Sequence, residues 1–379
     1  MKLNKFLFVL PTDQIGGAER VAMTMVRYLS DTYTDSVVTV FFMSRGDSGS
    51  WNDLKNVTNI KLIYNDCRSE KLAVPYLVYY LKLHGNKIDF VYSTHTHVNS
   101  LLCCLRALKI FSCKYLVIRE STIISLRFSG IKKIIFNILY MFYGSQDLLI
   151  CQTDLMCDEF KKARSIKAGR HINVIKNPLD LRNIQSLISN GEFSRLPNDD
   201  FSIVMIGRLV AIKNHSLAIK VVSKLKLCGI DNVKLTIVGD GPLRVELETL
   251  VSSLGLTDAV EFLGVVGNPY QYMTAADLGL MSSFSEGFPN VLIEMMAAGI
   301  KNIVTTPCAG NLDDLPKVTV TSDHSIDSMS AAITNVIYTK SDFSLVYIEY
   351  SKCRDIKLFW KSIIDGLSHT SKSGLLGNR

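Results

Sequence analysis

The sequence predicts an α/β fold of two domains of similar size, each a parallel sheet wrapped by helices, with a cleft between them. Three observations lead there. Short apolar runs alternate with helical stretches along the chain, the pattern of strand–helix–strand units. The 379 residues exceed the ~250–300 at which a single core stops growing. A more polar segment, 181–200, carries Ser189-Asn190-Gly191 and Leu196-Pro197-Asn198-Asp199-Asp200 and reads as a linker.

The elements follow in order. Met1-Lys2-Leu3-Asn4-Lys5-Phe6-Leu7-Phe8-Val9-Leu10 imitates the first half of a signal peptide. Its apolar core is short and runs into Pro11-Thr12-Asp13 with no small-residue cleavage site, so it reads as a first strand. Further strands of the first domain, 1–180, are expected at Val37–Phe42, Ile60–Tyr64, Phe90–Tyr92, Tyr115–Ile118, Leu148–Cys151 and Ile172–Ile175. Helices are expected near 17–30, 72–84, 98–108, 130–143 and 154–165. In the second domain, 201–345, strands are expected at Ile203–Ile206, Leu235–Val238, Val260–Leu263, Leu278–Met281 and Asn302–Thr305. A closing helix, Tyr350 through Leu367 with Phe359-Trp360, falls in the last segment, 346–379.

Ligands of such sheets bind at the carboxyl ends of the strands, and the unusual residues fall there. Gly16-Gly17 follows the first strand and lets backbone approach a ligand just before a helix, although a Gly-Gly turn can be only a turn. After Ile203–Ile206, Arg208 and Lys213 bracket a strand-to-helix loop, where they could bind a diphosphate or stay solvated. Gly239-Asp240-Gly241-Pro242 makes a tight turn after Leu235–Val238. Ser285-Glu286-Gly287-Phe288-Pro289-Asn290 leads into a helix that stops at Gly299, with Pro289 suited to its first turn. Glu286 then sits beside the helix N-terminus and Glu294 about two turns inside. Carboxylates there could hold sugar hydroxyls while free N–H groups face an anion; acidic residues satisfying a helix start are the plainer reading.

Charge is unevenly placed. Residues 1–180 carry 24 Lys+Arg against 15 Asp+Glu, a net of +9, and residues 181–379 carry 18 against 20, a net of −2. Lys132-Lys133 precedes the apolar run Ile134–Tyr143, and Lys161, Lys162, Arg164, Lys167 and Arg170 follow it. Such a helix can lie in the interface of an anionic membrane or in a core with solvated ends. No nucleic-acid motif accompanies the basic patch, so nucleic acid ranks below membrane as a partner. The mean hydropathy of +0.20 suits large cores or some lipid contact, and no 18-residue apolar run free of charge marks a membrane span. Nine cysteines without Cys-x-x-Cys spacing point to reduced thiols in the cytosol. His-x-His at His95 and His97 lacks further ligands for zinc, and no metal site is expected.

Taken as a set, Gly16-Gly17-Ala18-Glu19, Asn177-Pro178-Leu179-Asp180, Gly207-Arg208-Leu209 with Lys213-Asn214, Val238-Gly239-Asp240-Gly241-Pro242 and Glu286-Gly287-Phe288-Pro289-Asn290 through Glu294 resemble the retaining glycosyltransferases of family 4. The resemblance spans residues 5 to about 310 and implies the GT-B fold, two Rossmann-like domains facing a central cleft. It implies that Arg208 and Lys213 grip the donor diphosphate, that Glu294 hydrogen-bonds the ribose and that Glu286 lies beside the donor hexose. Gly287, Phe288 and Asn290 would offer backbone N–H groups, Gly239 would join the donor-binding set, and Gly16 and Gly17 would approach the donor phosphates from the other domain. Transfer would retain configuration by front-face attack without a metal, in keeping with the lack of an Asp-x-Asp pair. In the family the closing helix crosses back onto the first domain.

The sequence departs from the family where some members place a histidine after the fifth strand. Here Ile118-Arg119-Glu120-Ser121-Thr122 stands, leaving His95 and Glu120 as possible acceptor or sugar contacts. Thr306-Pro307-Cys308-Ala309-Gly310-Asn311 replaces the commoner Gly-Gly loop. The expected reaction moves a hexose or N-acetylhexosamine from a nucleotide sugar, UDP-linked first and GDP-mannose second, to a lipid-linked glycan acceptor of O-antigen or capsule type. No cofactor beyond that co-substrate is expected. The expected place is the inner face of the plasma membrane, with Lys132 and Lys133 at the lipid. A GT-B glycoside phosphorylase and a non-catalytic membrane-associated partner with a relict nucleotide site are the alternatives.

Overall fold

The computed structural model of the chain describes residues 3–44, 46, 48–163, 172–190 and 200–373. Arg164, Lys167 and Arg170 of the basic cluster, and 191–199 of the expected linker, lie outside the described residues. The chain divides into two compact units, Met1–Pro178 with Ile356–Arg379, and Leu179–Asp355.

The first unit holds a seven-stranded sheet in the order β3-β2-β1-β4-β5-β6-β7. Its strands are β1 (Lys5–Leu10), β2 (Val37–Phe42), β3 (Ile60–Ile63), β4 (Phe90–Ser93), β5 (Tyr115–Arg119), β6 (Leu148–Cys151) and β7 (Ile172–Val174). Every ladder is parallel. The helices are α1 (Gly17–Thr32), α2 (Glu70–His84), α3 (Thr96–Ala107), α4 (Ile124–Arg127), α5 (Gly130–Tyr140), α6 (Asp154–Ala163) and the chain-terminal α14 (Ile356–Ser373). Because side chains alternate across a strand, β1 sends Phe6, Phe8 and Leu10 to the face covered by α1 and α14. It sends Leu7 and Val9 to the face covered by α2 and α3. Trp360 of α14 packs edge-on to Phe6 and Phe90, and its Nε1 donates to the Tyr33 hydroxyl at 3.0 Å.

The second unit holds a six-stranded sheet in the order β10-β9-β8-β11-β12-β13. Its strands are β8 (Phe201–Ile206), β9 (Val233–Val238), β10 (Val260–Gly264), β11 (Leu278–Met281), β12 (Asn302–Thr305) and β13 (Thr319–Val320). The ladders between these strands are parallel. Its helices are α7 (Leu181–Ser189), α8 (His215–Leu227), α9 (Arg244–Ser253), α10 (Tyr270–Ala275), α11 (Asn290–Ala298), α12 (Ile326–Thr339) and α13 (Ser344–Ser351). One face carries α8, α9 and α12; the other carries α7, α10, α11 and α13.

Three expectations are corrected. Residues 181–189, expected as linker, are helical. Asp180 caps α7 by accepting the N–H of Asn183 at 3.1 Å, and Leu181, Ile184, Leu187 and Ile188 form an apolar stripe packed into the second unit. The closing helix does not run unbroken from Tyr350. It is α13, a 3₁₀ turn at Lys352–Arg354 and then α14, and the second unit extends to Asp355 rather than 345. The physical reason is that α13 has its own apolar partners: Tyr347 is fully buried against the α11 layer, while Phe359 and Trp360 join the core of the first unit.

Candidate active site

In the second unit four strand-end segments are tied together by hydrogen bonds. After β8, the Gly207 N–H donates to the Val238 carbonyl and the Leu209 N–H to the Asp240 carbonyl, both at 3.0 Å. This draws the Gly207–Lys213 loop against the turn that follows β9. The contact is backbone on backbone: a Cβ at Gly239, whose φ is +139°, would stand 2.0 Å from the Gly207 carbonyl oxygen. Ser282, just past β11, donates from its hydroxyl to the carbonyls of Lys213 and Asn214 at 3.0 and 2.8 Å. The Phe284 N–H donates to Ile212 at 2.8 Å and the Glu286 N–H to the Cys308 carbonyl at 2.7 Å, which brings in the loop after β12.

These ties deliver a cation to a carboxylate. Lys213 Nζ stands 2.6 Å from Glu286 Oε1, both side chains about a fifth to a quarter exposed. Asn214, next in the chain, takes the left-handed conformation at φ 50° and ψ 47°, which asparagine tolerates better than most residues. His215 follows, buried; burial first and the Lys213 charge second push its imidazole down to about 4, so it is neutral beside the pair. Burial, with the Glu286 charge, pushes the Cys308 thiol up to about 11. Arg208 is exposed on the same loop.

α11 begins at Asn290, with Pro289 at the N-cap rather than in the first turn. Glu294 is therefore just over one turn inside, not two, and it is buried at 7% exposure. Phe288 is buried as well, and Gly287 and Asn290 are half-buried. The arrangement offers N–H groups of a helix start, a lysine–carboxylate pair and an exposed guanidinium along one sheet edge. That combination suits an anionic ligand with hydroxyls.

In the first unit Gly16 is the N-cap of α1, and its N–H donates to Glu19 Oε2 at 3.1 Å. The other carboxylate oxygen of Glu19 lies 3.1 Å from His95 Nε2. Burial raises the Glu19 carboxyl, and His95 and the local N–H groups outweigh it, leaving it below the ordinary carboxylate value. His95 is the N-cap of α3, and His97 pairs with Glu70 at 2.5 Å. Glu19, the last residue of the Gly16-Gly17-Ala18-Glu19 motif, stands three positions past the N-cap, which is a capping signature.

Glu120 is enclosed by its own unit. Its side chain is fully buried and accepts from Thr96 Oγ1 at 2.8 Å, Asn99 Nδ2 at 3.0 Å and the Tyr143 hydroxyl, with the Tyr140 hydroxyl at 3.4 Å. Burial raises its carboxyl above the usual value, and these donors offset only part of the rise. The neighbouring Arg119, also buried, donates to Thr94 at 3.0 Å and to Asn177 of the Asn-Pro motif at 2.5 Å. Both are ties among α3, β5, α5 and the end of the unit.

Lys132 is exposed and Lys133 half-buried on α5. One face of this segment packs into the core through Phe136, Tyr140 and Tyr143, while the other is open: Ile131 and Met141 are about three-quarters exposed, and Ile134, Ile135, Ile138 and Phe142 are also exposed. Among the described residues no helix is long and apolar enough to cross a membrane, and no group of three or more His, Cys, Asp or Glu could hold a metal ion.

Two parallel α/β units with ligand-type residues at the strand ends define a GT-B fold. Residues 190–347 match the family model described as Glycosyl transferases group 1, in keeping with a glycosyltransferase. Over 327 residues, 82% of each chain, the sequence is 28% identical to the N-acetylgalactosamine-N,N'-diacetylbacillosaminyl-diphospho-undecaprenol 4-alpha-N-acetylgalactosaminyltransferase of Campylobacter jejuni. It is also 28% identical, over 78% of this chain and 77% of the relative, to that organism's GalNAc-alpha-(1->4)-GalNAc-alpha-(1->3)-diNAcBac-PP-undecaprenol alpha-1,4-N-acetyl-D-galactosaminyltransferase. Among solved structures, Anabaena HepE in complex with UDP and glucose superposes with a TM-score of 0.76 at 20% identity, covering 97% of this chain and all of that one.

Proposed function

We propose that the chain is a retaining glycosyltransferase that moves a hexose or N-acetylhexosamine from a UDP-sugar to a lipid-linked glycan acceptor in surface-polysaccharide synthesis. The observation that carries this reading is the Lys213–Glu286 pair, joined by the loops of four strand ends beside the start of α11. Arg208 and Lys213 take the donor diphosphate and stabilise the charge that grows on the departing nucleotide, in the place a metal would otherwise fill. Glu286 lies beside the hexose, the Gly287–Asn290 backbone reaches sugar hydroxyls and phosphate, and Glu294 holds the ribose. The C. jejuni relatives are named for acceptors on diphospho-undecaprenol, and HepE binds UDP, which supports the donor and acceptor classes proposed.

A thermal-shift titration with UDP, GDP and ADP, run beside Glu294→Ala, tests the donor assignment. UDP should raise the midpoint of the wild type by mass action and leave the variant unshifted. A larger shift with GDP would change the donor class, and no shift with any of the three would remove the nucleotide-sugar reading.

The exposed apolar face of α5 with Lys132 and Lys133 supports docking on the inner face of an anionic membrane, where the acceptor resides. Lys132→Glu/Lys133→Glu should weaken sedimentation with phosphatidylglycerol-containing liposomes by about thirtyfold or more at low salt, and less at high salt, since each basic residue near such a surface contributes about 1 kcal/mol. Equal sedimentation of both proteins would take the membrane role away from α5.

A further inference from the structure

A buried guanidinium without a carboxylate stands against the proposed donor loop. Arg354, the last residue of the 3₁₀ turn after α13, is only 3% exposed. Its Nη2 donates to the Tyr350 hydroxyl at 2.7 Å. The guanidinium carbon lies 5.1 Å from the centroid of the Phe288 ring and 5.4 Å from that of Tyr350. Nε and Nη1 are buried with no hydrogen-bond partner, and among the described residues no acidic side chain forms an ion pair with Arg354. Its backbone is held too: the Arg354 carbonyl accepts the N–H of Leu179 at 2.7 Å, where the chain enters the second unit.

This is an expensive way to fill space. Removing a cation from water with two of its donors unpaired is costly. Two cation–π contacts offset part of that cost and leave the two buried donors unpaired. A methionine would fill a similar volume without the desolvation cost. The charge therefore does something that packing alone does not, and the group it touches in the proposed site is Phe288, at the middle of Glu286-Gly287-Phe288-Pro289-Asn290. A planar cation against an aromatic ring fixes position and tilt in a way that an aliphatic contact does not.

We infer that Arg354 is a positioning residue which, through the Phe288 ring, holds the Glu286–Asn290 segment in its donor-binding conformation. The inference rests on the nucleotide-sugar reading of that segment. Arg354 touches no donor atom; it spares the donor the cost of ordering the loop and acts on donor affinity. The ring is the only link invoked, so removing either partner has the same consequence, and removing both adds little.

UDP binding measured by calorimetry on wild type, Arg354→Met, Arg354→Lys, Phe288→Leu and the Arg354→Met/Phe288→Leu double variant decides this, with melting midpoints recorded for each. Arg354→Met and Phe288→Leu should each weaken UDP about tenfold, and the double variant should be no more than about twofold weaker than the weaker single, because neighbours acting through one contact are not additive. Arg354→Lys keeps the charge and loses the plane, and should fall between wild type and Arg354→Met. A purely structural role would lower melting midpoints and leave UDP affinity of the folded protein unchanged; that result, or single effects that multiply in the double variant, overturns the inference. If Arg354→Met does not fold, Arg354→Lys and Phe288→Leu carry the same comparison. Failure of the wild type itself to bind UDP overturns the nucleotide-sugar reading and this inference with it, whereas wild-type binding with unchanged variants overturns the inference alone.

Discussion

Lys213→Ala should lower kcat by about 10²-fold or more, with a melting midpoint close to wild type. The lysine stands 2.6 Å from Glu286. A cation placed where charge grows on a leaving diphosphate contributes roughly 2.7–4 kcal/mol to the transition state, as single donors in such sites do. Its removal also leaves the Glu286 carboxylate uncompensated and facing an anionic donor, which works against both binding and departure. The stability cost is small by contrast. Both side chains are partly solvated, and ion pairs of that kind contribute about 0–1 kcal/mol. Arg208→Ala, on the exposed side of the same loop, should show a loss of similar size in kcat. Steady-state rates with a UDP-sugar and a polyprenyl-diphosphate-linked acceptor check both variants. Near wild-type turnover in either would detach that residue from the leaving group.

Gly239→Ala should destabilise the second unit by about 3 kcal/mol or more, enough to lower its melting midpoint sharply or to prevent recovery of folded protein. The added Cβ would meet the Gly207 carbonyl oxygen at 2.0 Å and the Gly207 carbonyl carbon at 2.8 Å. Those are backbone atoms held by the Gly207-to-Val238 hydrogen bond and cannot swing aside. Gly255→Ala is the control. That residue also has a positive φ, +66°, but nothing lies within 4 Å of its Cβ position. It should cost about 1 kcal/mol, the conformational penalty alone. Urea denaturation of the two variants separates the effects, and equal losses would mean that the close approach of the two loops carries no energy.

The comparison shows why motif glycines are legible while their reasons are not. Gly207 and Gly239 stand out in sequence as turn residues after strands. That Gly239 is glycine because the Gly207 backbone lies against it follows only from strand order, since β8 and β9 are neighbours in the sheet. Lys213 and Glu286 were each legible as functional candidates from their positions at strand ends. Their pairing across 73 residues was not, because it depends on Ser282 and Phe284 fastening the β11 loop to the turn after β8. The enclosure of Glu120 was hidden for a related reason. A carboxylate just past a strand end reads as available to a ligand, and only the packing of Tyr140, Tyr143, Thr96 and Asn99 around it shows that it is enclosed.

What the sequence determined by itself is the local layer of this protein. Runs of β-branched and aromatic residues set the strands β1 to β12, and glycine and proline set the turns where ligand-type residues gather. Alternation along β1 decided which side chains face which helical layer. Other features were decided by tertiary structure alone: the two-residue β13, too short to carry a pattern; α7, whose polar spacing hid a buried stripe; the division of the closing segment between the two units; and the Arg354–Phe288 contact. The reason is common to all four. Each depends on burial against residues distant in the chain, and burial is a property of the surface an element meets, which no local pattern of residues contains.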